Sequence, residues 1–478
     1  MYKDTSQFTI DDFIFPFGTL DPDNRWVRLS LLVPWDDIER GYAKQFGTTG
    51  APAHPARMAF GALLLKQILD VSDAELVFQI AENPYLQFFI GMHAFVQGCP
   101  FGTSTLVAFR KRFSADEVTR IDDIVCKQAR ERQRAEKTNG TEGHDDGNED
   151  GGTLVMDATV APANIAYPQD IRLLSEAREK LERMIDVLCA QTGAKKPRMR
   201  RNVARKDFLN WSKSKRRSAK VTRRARRAQL GYISRDLGFL QTLIEEHHAE
   251  PTDKQLRDLD IIGKLSVQQK EMHDTHTRRC ERRVVSLEQP WVRPIVRGKT
   301  HANTEFGAKV HLCIEDGLSR VDHASFEAYN EAVLLIPATE SYRVRCGCYP
   351  KRILADKIYM NRENRKWCKE RGIELAGPRL GRPPKDLKAA AEARRLERDA
   401  AGERNCVEGA FGTMKHSYGM GRVMARLKET SETVVALAVL SFNLKKLMRL
   451  LCAFVHWLLE RLTWAAGTLA PLCSMKHA

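Results

Sequence analysis

The stretch TLVMDATVAPA, Thr153 to Ala163, sets an aspartate in the middle of a short, apolar, β-rich run. A carboxylate inside such a strand is costly unless a partner or a metal ion meets it. Asp356 repeats the arrangement in an apolar run read as one strand, Ile353-Leu354-Ala355-Asp356-Lys357-Ile358-Tyr359. Either aspartate alone would read as a strand-end cap or an ion-pair member, whereas two of them in one core point to chemistry.

The sequence between and after these runs specifies the rest of that core. Phe306, Ala308, Val310, Leu312 and Ile314 alternate with Gly307, Lys309, His311 and Cys313, the period of two expected of a strand with one buried face. Glu315-Asp316-Gly317 then reads as a turn, and Leu318 to Ala324 as the returning strand. A helix is expected around Asn330 to Ser341 and another from about Asn361 to Arg371. The reading is a mixed α/β core with antiparallel hairpin pairing.

From Ile171 to about Glu288 the core is interrupted. Leu174, Ala177, Leu181, Met184 and Leu188 recur at steps of three and four, as do Leu230, Ile233, Leu237, Leu240 and Ile244, which predicts inserted long helices. Between these two patterns, Lys195 to Arg227 carries 16 Lys or Arg against one acid, Asp207. A charge run of this kind can be a solvated arm. Phe208, Trp211 and the flanking helices favour a basic surface presented on a scaffold, with Arg198, Arg200, Arg201, Arg216, Arg217, Arg223 and Arg224 meeting phosphates.

Upstream, Pro55 to about Arg132 reads as helical. Ser72 and Glu75 have capping-box spacing, and Thr103 to Phe113 is expected to begin with hydroxyl caps and to end in Arg110, Lys111 and Arg112. That basic last turn suits either DNA or the helix dipole. Residues 138–152 are rich in Gly, Asp, Glu and Asn, as in a flexible acidic linker. Thr433 to Leu462 is very apolar, but Lys445, Lys446 and Arg449 interrupt it before it reaches the ~18 to 20 residues of a membrane span, so it reads as a buried helix.

The formal net charge of +16 favours a polyanionic partner. Eleven irregularly spaced cysteines make no disulfide framework, and no secretory signal opens the chain, so a reducing cytoplasm is expected. Cys346 and Cys348 lack a second pair at finger spacing, and the cysteines are read as small apolar fillers.

A trio of converging carboxylates is a minimal hard-oxygen cage for magnesium or manganese. Two such ions about 3.5–4 Å apart can activate a nucleophile and neutralise a leaving alkoxide in phosphodiester cleavage. The third acid comes from ERNCVEGAFGTMKHSYGMGR, Glu403 to Arg422. On a helix, Arg404, Glu408 and Lys415 share one face, beside a stripe of Val407, Phe411 and Met414 that would dock on the sheet. From spacing alone, an ordinary surface Arg–Glu pair is equally readable.

The aspartate strand, the ADKIY run and the R-xxx-E-xxxxxx-K helix resemble the DDE catalytic core of bacterial insertion-sequence transposases of the IS-four/IS-five group. GKTHANTEFGAKVHLCIEDG, Gly298 to Gly317, resembles the strand pair that follows the first aspartate in that group, and Pro55 to Phe113 the helical domain preceding the core. The resemblance covers roughly half of the chain. Ala401 stands where the signature usually has a tyrosine, and Tyr418 lies nearby.

The resemblance implies an α/β protein with a ribonuclease-H-like catalytic core at 153–167 and 290–450. An N-terminal all-helical DNA-binding domain occupies 1–135, an acidic Gly-rich linker 136–152, a long basic helical insertion 168–289, and a C-terminal helix and tail 451–478. It implies a transposase that cuts the inverted-repeat ends of its own element and transfers them to target DNA. Asp157, Asp356 and Glu408 would be the catalytic ligands of two Mg2+ or Mn2+ ions, with Arg404 and Lys415 at phosphates. The expected partners are double-stranded DNA and a second copy of the chain, with no membrane, in a bacterial cytoplasm at the nucleoid. A catalytically inactive DNA-binding descendant and a hydrolytic nuclease with the same core are the rival readings.

Overall fold

The computed structural model describes residues 9–16, 18–47, 49, 52–139, 151–296, 304–378 and 386–473. Most of the expected acidic linker and the tail after residue 473 lie outside the described residues. The N-terminal part is helical: α1 (Arg25–Ser30), α2 (Trp35–Ala43), α3 (Ala56–Leu69), α4 (Asp73–Glu82), α5 (Pro84–Phe89), α6 (Thr103–Arg112) and α7 (Ala115–Asn139). Ser72 caps α4 by accepting from the Glu75 N–H. The expected hydroxyl cap of α6 is not there: Gly102 is its N-cap, without a side-chain bond.

The central sheet starts with β1 (Thr153–Pro162) and is then interrupted by α8 (Asp170–Thr192), α9 (Arg201–Lys213), α10 (Ala219–Glu245) and α11 (Asp253–Asp274). These four helices bury their own apolar core of Leu174, Leu181, Ile185, Leu188, Ile233, Leu240 and Leu265. Each of those side chains, fully removed from water, stabilises by about 1.5–3 kcal/mol. Asp170, the first residue of α8, ties the insertion together at its root by pairing with Arg226 at 2.7 Å and Arg283 at 2.5 Å.

The chain returns through β2 (Arg293–Val296), β3 (Thr304–Glu315) and β4 (Leu318–Ser325), then a 3-10 turn at Glu331–Leu334 and α12 (Leu335–Cys346). Asp316 and Gly317 turn β3 into β4 with φ of 52° and 79°, the positive pair that a two-residue hairpin needs. The short strand β5 (Arg352–Leu354), α13 (Arg362–Glu370), β6 (Glu374–Ala376), α14 (Leu387–Ser417) and α15 (Lys428–Cys473) complete the fold. β1 lies between β3, antiparallel, and β5, parallel; β6 extends beyond β5 in parallel, and β2 and β4 both pair with β3.

The sheet is covered on both sides, which the alternation in β3 does not disclose. Val310, Leu312 and Ile314 join Val155, Leu354 and the α14 residues Val407, Phe411 and Met414 in one core. Cys313, on the alternate face, packs with Met156, Leu335, Ile353 and Tyr359 in another. His311 and Cys313 are therefore buried rather than on a polar face. α15 joins the two halves of the molecule: its Leu437, Leu440 and Leu444 pack into the N-terminal bundle, and its Val435, Ala438 and Val439 into the sheet core. Among the described residues no helix is long and apolar enough to cross a membrane.

Candidate active site

Three elements bring three acids to one face of the sheet. Asp157 follows Val155 by two residues along β1, and Asp356 follows Leu354 by two after β5; Val155 and Leu354 are rungs of the same parallel ladder. Strand alternation puts Asp157 on the face where Val155 meets α14, and Asp356, just past the end of β5, reaches that face through its pair with Arg404 of α14. Val407, Ala410, Phe411 and Met414 dock α14 on that face and leave Glu408 on its rim.

Asp356 is not inside a strand, as its apolar surroundings suggest. β5 ends at Leu354, and Asp356 is the N-cap of a 3-10 turn at Lys357–Tyr359, its Oδ1 accepting from the Lys357 N–H at 2.7 Å. Ile358 and Tyr359 belong to that turn, with Tyr359 buried beneath it. Short aspartate side chains compete for nearby backbone N–H groups in this way, and the strand stops where the carboxylate becomes accessible.

Arg404 spans the open space between these elements. Its Nη1 lies 3.1 Å from Asp356 Oδ1 and its Nη2 3.6 Å from Glu408 Oε1. Asp157 lies deeper. Burial pushes its carboxyl up to about 6, the Ala158 N–H and Arg404 draw it down, and Glu331 and Asp356 raise it. The centre thus gathers Asp157, Asp356, Glu408 and Glu331 around the Arg404 guanidinium and the Lys309 ammonium. Three carboxylates, two of them about half exposed and one half-buried, form a hard-oxygen set suited to magnesium or manganese. Glu331, which pairs with Lys309 at 2.8 Å, is the acid that sequence reasoning passed over. Only folding brings the turn after β4 close enough for Glu331 to act on Asp157.

The basic residues expected at phosphates divide into two sets. Arg201 is engaged inside the insertion, pairing with Asp186 at 2.7 Å, and Arg217 lies over the Trp211 ring at 4.7 Å. Arg198, Arg200, Arg216, Arg223 and Arg224 are exposed and have no acidic partner among the described residues. In α6, Arg110 pairs with Asp73, Arg112 lies 4.2 Å over Phe46, and Lys111 lines a cleft with Lys66, Arg422 and Arg426 where the bundle meets the core. Lys415 is half-buried near the end of α14. Tyr418 is buried in the sheet core, and its carbonyl accepts from Gln67 of α3, so its ring is a packing element.

Comparison with known proteins gives two matches to family profiles. One described as "Transposase DDE domain" matches residues 353–445, a span that includes Asp356, Arg404, Glu408 and Lys415. One described as "Transposase domain (DUF772)" matches residues 17–112. The chain is similar to a Rhizobium meliloti protein described as "Uncharacterized protein ORF8 in nfe locus", 31% identical over 164 residues, which cover 34% of this chain and 74% of the relative. No solved structure matches.

Proposed function

We propose that the chain, two stretches of which match transposase family models, is a DDE-type transposase that cuts DNA at the inverted-repeat ends of an insertion sequence of the IS-four/IS-five group and joins those ends to target DNA. The observation that carries the reading is the common face of Asp157, Asp356 and Glu408, with Arg404 between the latter two. A sheet with β1 between antiparallel β3 and parallel β5, crossed by α14, supports a ribonuclease-H-like core. In this reading 153–167 and 290–450 form the core, flanked by the helical DNA-binding domain and by the insertion.

Asp157, Asp356 and Glu408 would hold two Mg2+ or Mn2+ ions. When bound, such ions favour the deprotonated oxygen nucleophile and offset the charge developing on the leaving oxygen. The chain's own residues supply position. Asp157, deepest in the site, fixes the floor; Asp356 is anchored by the Lys357 N–H; Arg404 holds Asp356 and Glu408 in register and, with Lys415, faces phosphate oxygens. Two displacements follow. Water forms a bond to phosphorus as the P–O3′ bond breaks, its proton passing to solvent and the freed 3′ oxygen gaining one. That 3′ hydroxyl then loses its proton, bonds to a target phosphorus and releases a target 3′ oxygen.

The exposed arginines of 198–224 and Lys111 would track the phosphate backbone, with Arg110, Arg112, Arg201 and Arg217 bracing those surfaces. Paired element ends call for two copies of the chain, and the substrate places the protein at the bacterial nucleoid. The test is incubation of the purified protein and Mg2+ or Mn2+ with DNA carrying the inverted repeats that flank its gene, plus a target plasmid. Cut ends covalently joined to the target are expected. Binding without cleavage would leave a DNA-binding protein, and cleavage without joining a hydrolytic nuclease; either overturns the proposal.

A further inference from the structure

The opposite face of the same sheet carries a second cluster. His311 Nδ1 or Nε2, Cys313 Sγ and a carboxylate oxygen of Asp322 lie within 4.8 Å of one another. His311 and Cys313 are completely buried, and the Asp322 side chain is 10% exposed. Residues 311 and 313 are two apart on β3 and project to one side. Asp322 reaches that side through a β-bulge: the ladder pairs His311 with His323 and Leu312 with Val321, which leaves Asp322 as the additional residue of β4. Bulges of this kind re-aim a side chain.

The cluster is polar, buried and incompletely satisfied. Neither ring nitrogen of His311 has a hydrogen-bond partner, and neither does Asp322 Oδ2. Buried polar atoms are almost always bonded, so three orphans at one spot call for an explanation. His311 Nδ1 and Asp322 Oδ2 stand 3.9 Å apart, beyond hydrogen-bond reach. Burial favours the neutral form of all three groups, lowering His311 and raising Cys313 and Asp322, so an ion would meet a neutral imidazole but displace protons from the thiol and the carboxyl.

We propose that His311, Cys313 and Asp322 bind a zinc-type divalent cation that pins β3 to the bulged β4 behind the candidate active site. One ion would engage a ring nitrogen and the orphaned carboxylate oxygen together. A thiolate and a carboxylate balance its two charges, which is what a dry site demands. The donor set also sets the metal: thiolate and imidazole select zinc or cobalt over magnesium and manganese, which suit the carboxylates of the other face. The two sites are distinct, because Cys313 is opposite Met156 in the ladder and Asp157 opposite Leu312. The proposal does not rest on the catalytic reading.

The test is metal content of the full chain, expressed with zinc and dialysed against a weak chelator, followed by replacement with cobalt. About one equivalent of zinc per chain is expected, and the cobalt form should show a thiolate charge-transfer band. Asp157→Asn should retain that metal, whereas Cys313→Ala, His311→Gln and Asp322→Asn should each lose it or bind it at least tenfold more weakly. Wild-type protein without zinc and without the cobalt thiolate band overturns the proposal. So does zinc retained by Cys313→Ala. If these variants do not fold, the wild-type metal content and cobalt spectrum decide alone.

Discussion

Glu315 and Asp157 sit three rungs apart on the β1–β3 ladder, where Leu154 is opposite Glu315 and Asp157 opposite Leu312, and the chain treats them differently. Glu315 is fully buried, yet its two carboxylate oxygens are held separately by Arg130 of α7 and Arg345 of α12, with Arg320 3.9 Å away. Arg130 also reaches Asp316 at 3.1 Å, so the cluster ties the N-terminal bundle to the sheet. Asp157 is less buried, and no arginine pairs with it among the described residues. The nearest basic group named at the site, Arg404, already pairs with Asp356 and Glu408. A carboxylate that serves the fold has its counter-charges built into the chain. One left short of them, in a cluster of acids, is what the proposed metal site calls for.

The largest expected effect separates these two acids. Glu315→Gln strands Arg130 and Arg345 and should cost about 3–5 kcal/mol of stability in denaturant unfolding. Asp157→Asn should leave metal-free stability unchanged or slightly higher, since it removes a carboxylate whose charge is disfavoured there. Equal losses would break the comparison.

Asp122 sharpens it. This acid lies wholly inside the joint, accepts from Asn443 Nδ2 at 2.9 Å, and is pushed by burial up to about 6. Its folded pKa exceeds the ordinary 3.8, so the native state binds more protons between those values. The stability it contributes is complete below about pH 4 and lost as pH rises through 6. Asp122→Asn, which keeps an acceptor for Asn443, should gain on wild type across that window by on the order of 1–2 kcal/mol and hold its lead above it. A constant difference from pH 4 to 8 would mean that Asp122 does not titrate there.

The smallest effect concerns the insertion, where the same contrast recurs between paired and unpaired arginines. Replacing Arg216, Arg223 and Arg224 with alanine should flatten the salt dependence of DNA binding by about 0.9 in log–log slope for each phosphate no longer neutralised, with folding unchanged. Arg226→Ala should instead loosen the insertion, because Arg226 pairs with Asp170. An unchanged slope in the triple variant would take that surface off the DNA.

What the chain discloses before folding is local. Asp316-Gly317 announces its hairpin, the steps of three and four from Leu174 to Leu188 announce α8, and Asn361 caps α13 near the expected start. Asp356 misleads because Tyr359 is buried by a turn rather than by a strand while Ile358 is exposed, and apolar content alone does not distinguish the two. His311 and Cys313 look like the polar side of an alternation until α12 and the turn after β5, with Tyr359, cover them. Cys313 reads as apolar filler in the sequence, since its neighbours His311 and Asp322 come together only through pairing and a bulge. Glu331 and the Arg404–Asp356 pair are products of tertiary packing with no sequence-local signal, whereas the Arg404–Glu408 pair is already present in the i,i+4 spacing.

The central claim is that Asp157, Asp356 and Glu408 hold divalent cations together. Manganese binding to the full chain, followed by electron paramagnetic resonance of the free ion, tests it most directly, with Glu315→Asp as a control for disturbance of the fold. Bound manganese in the wild type and control, reduced at least tenfold in Asp157→Asn and in Glu408→Gln while both stay folded, is the predicted result. Unchanged manganese binding in either of those two variants would contradict the account.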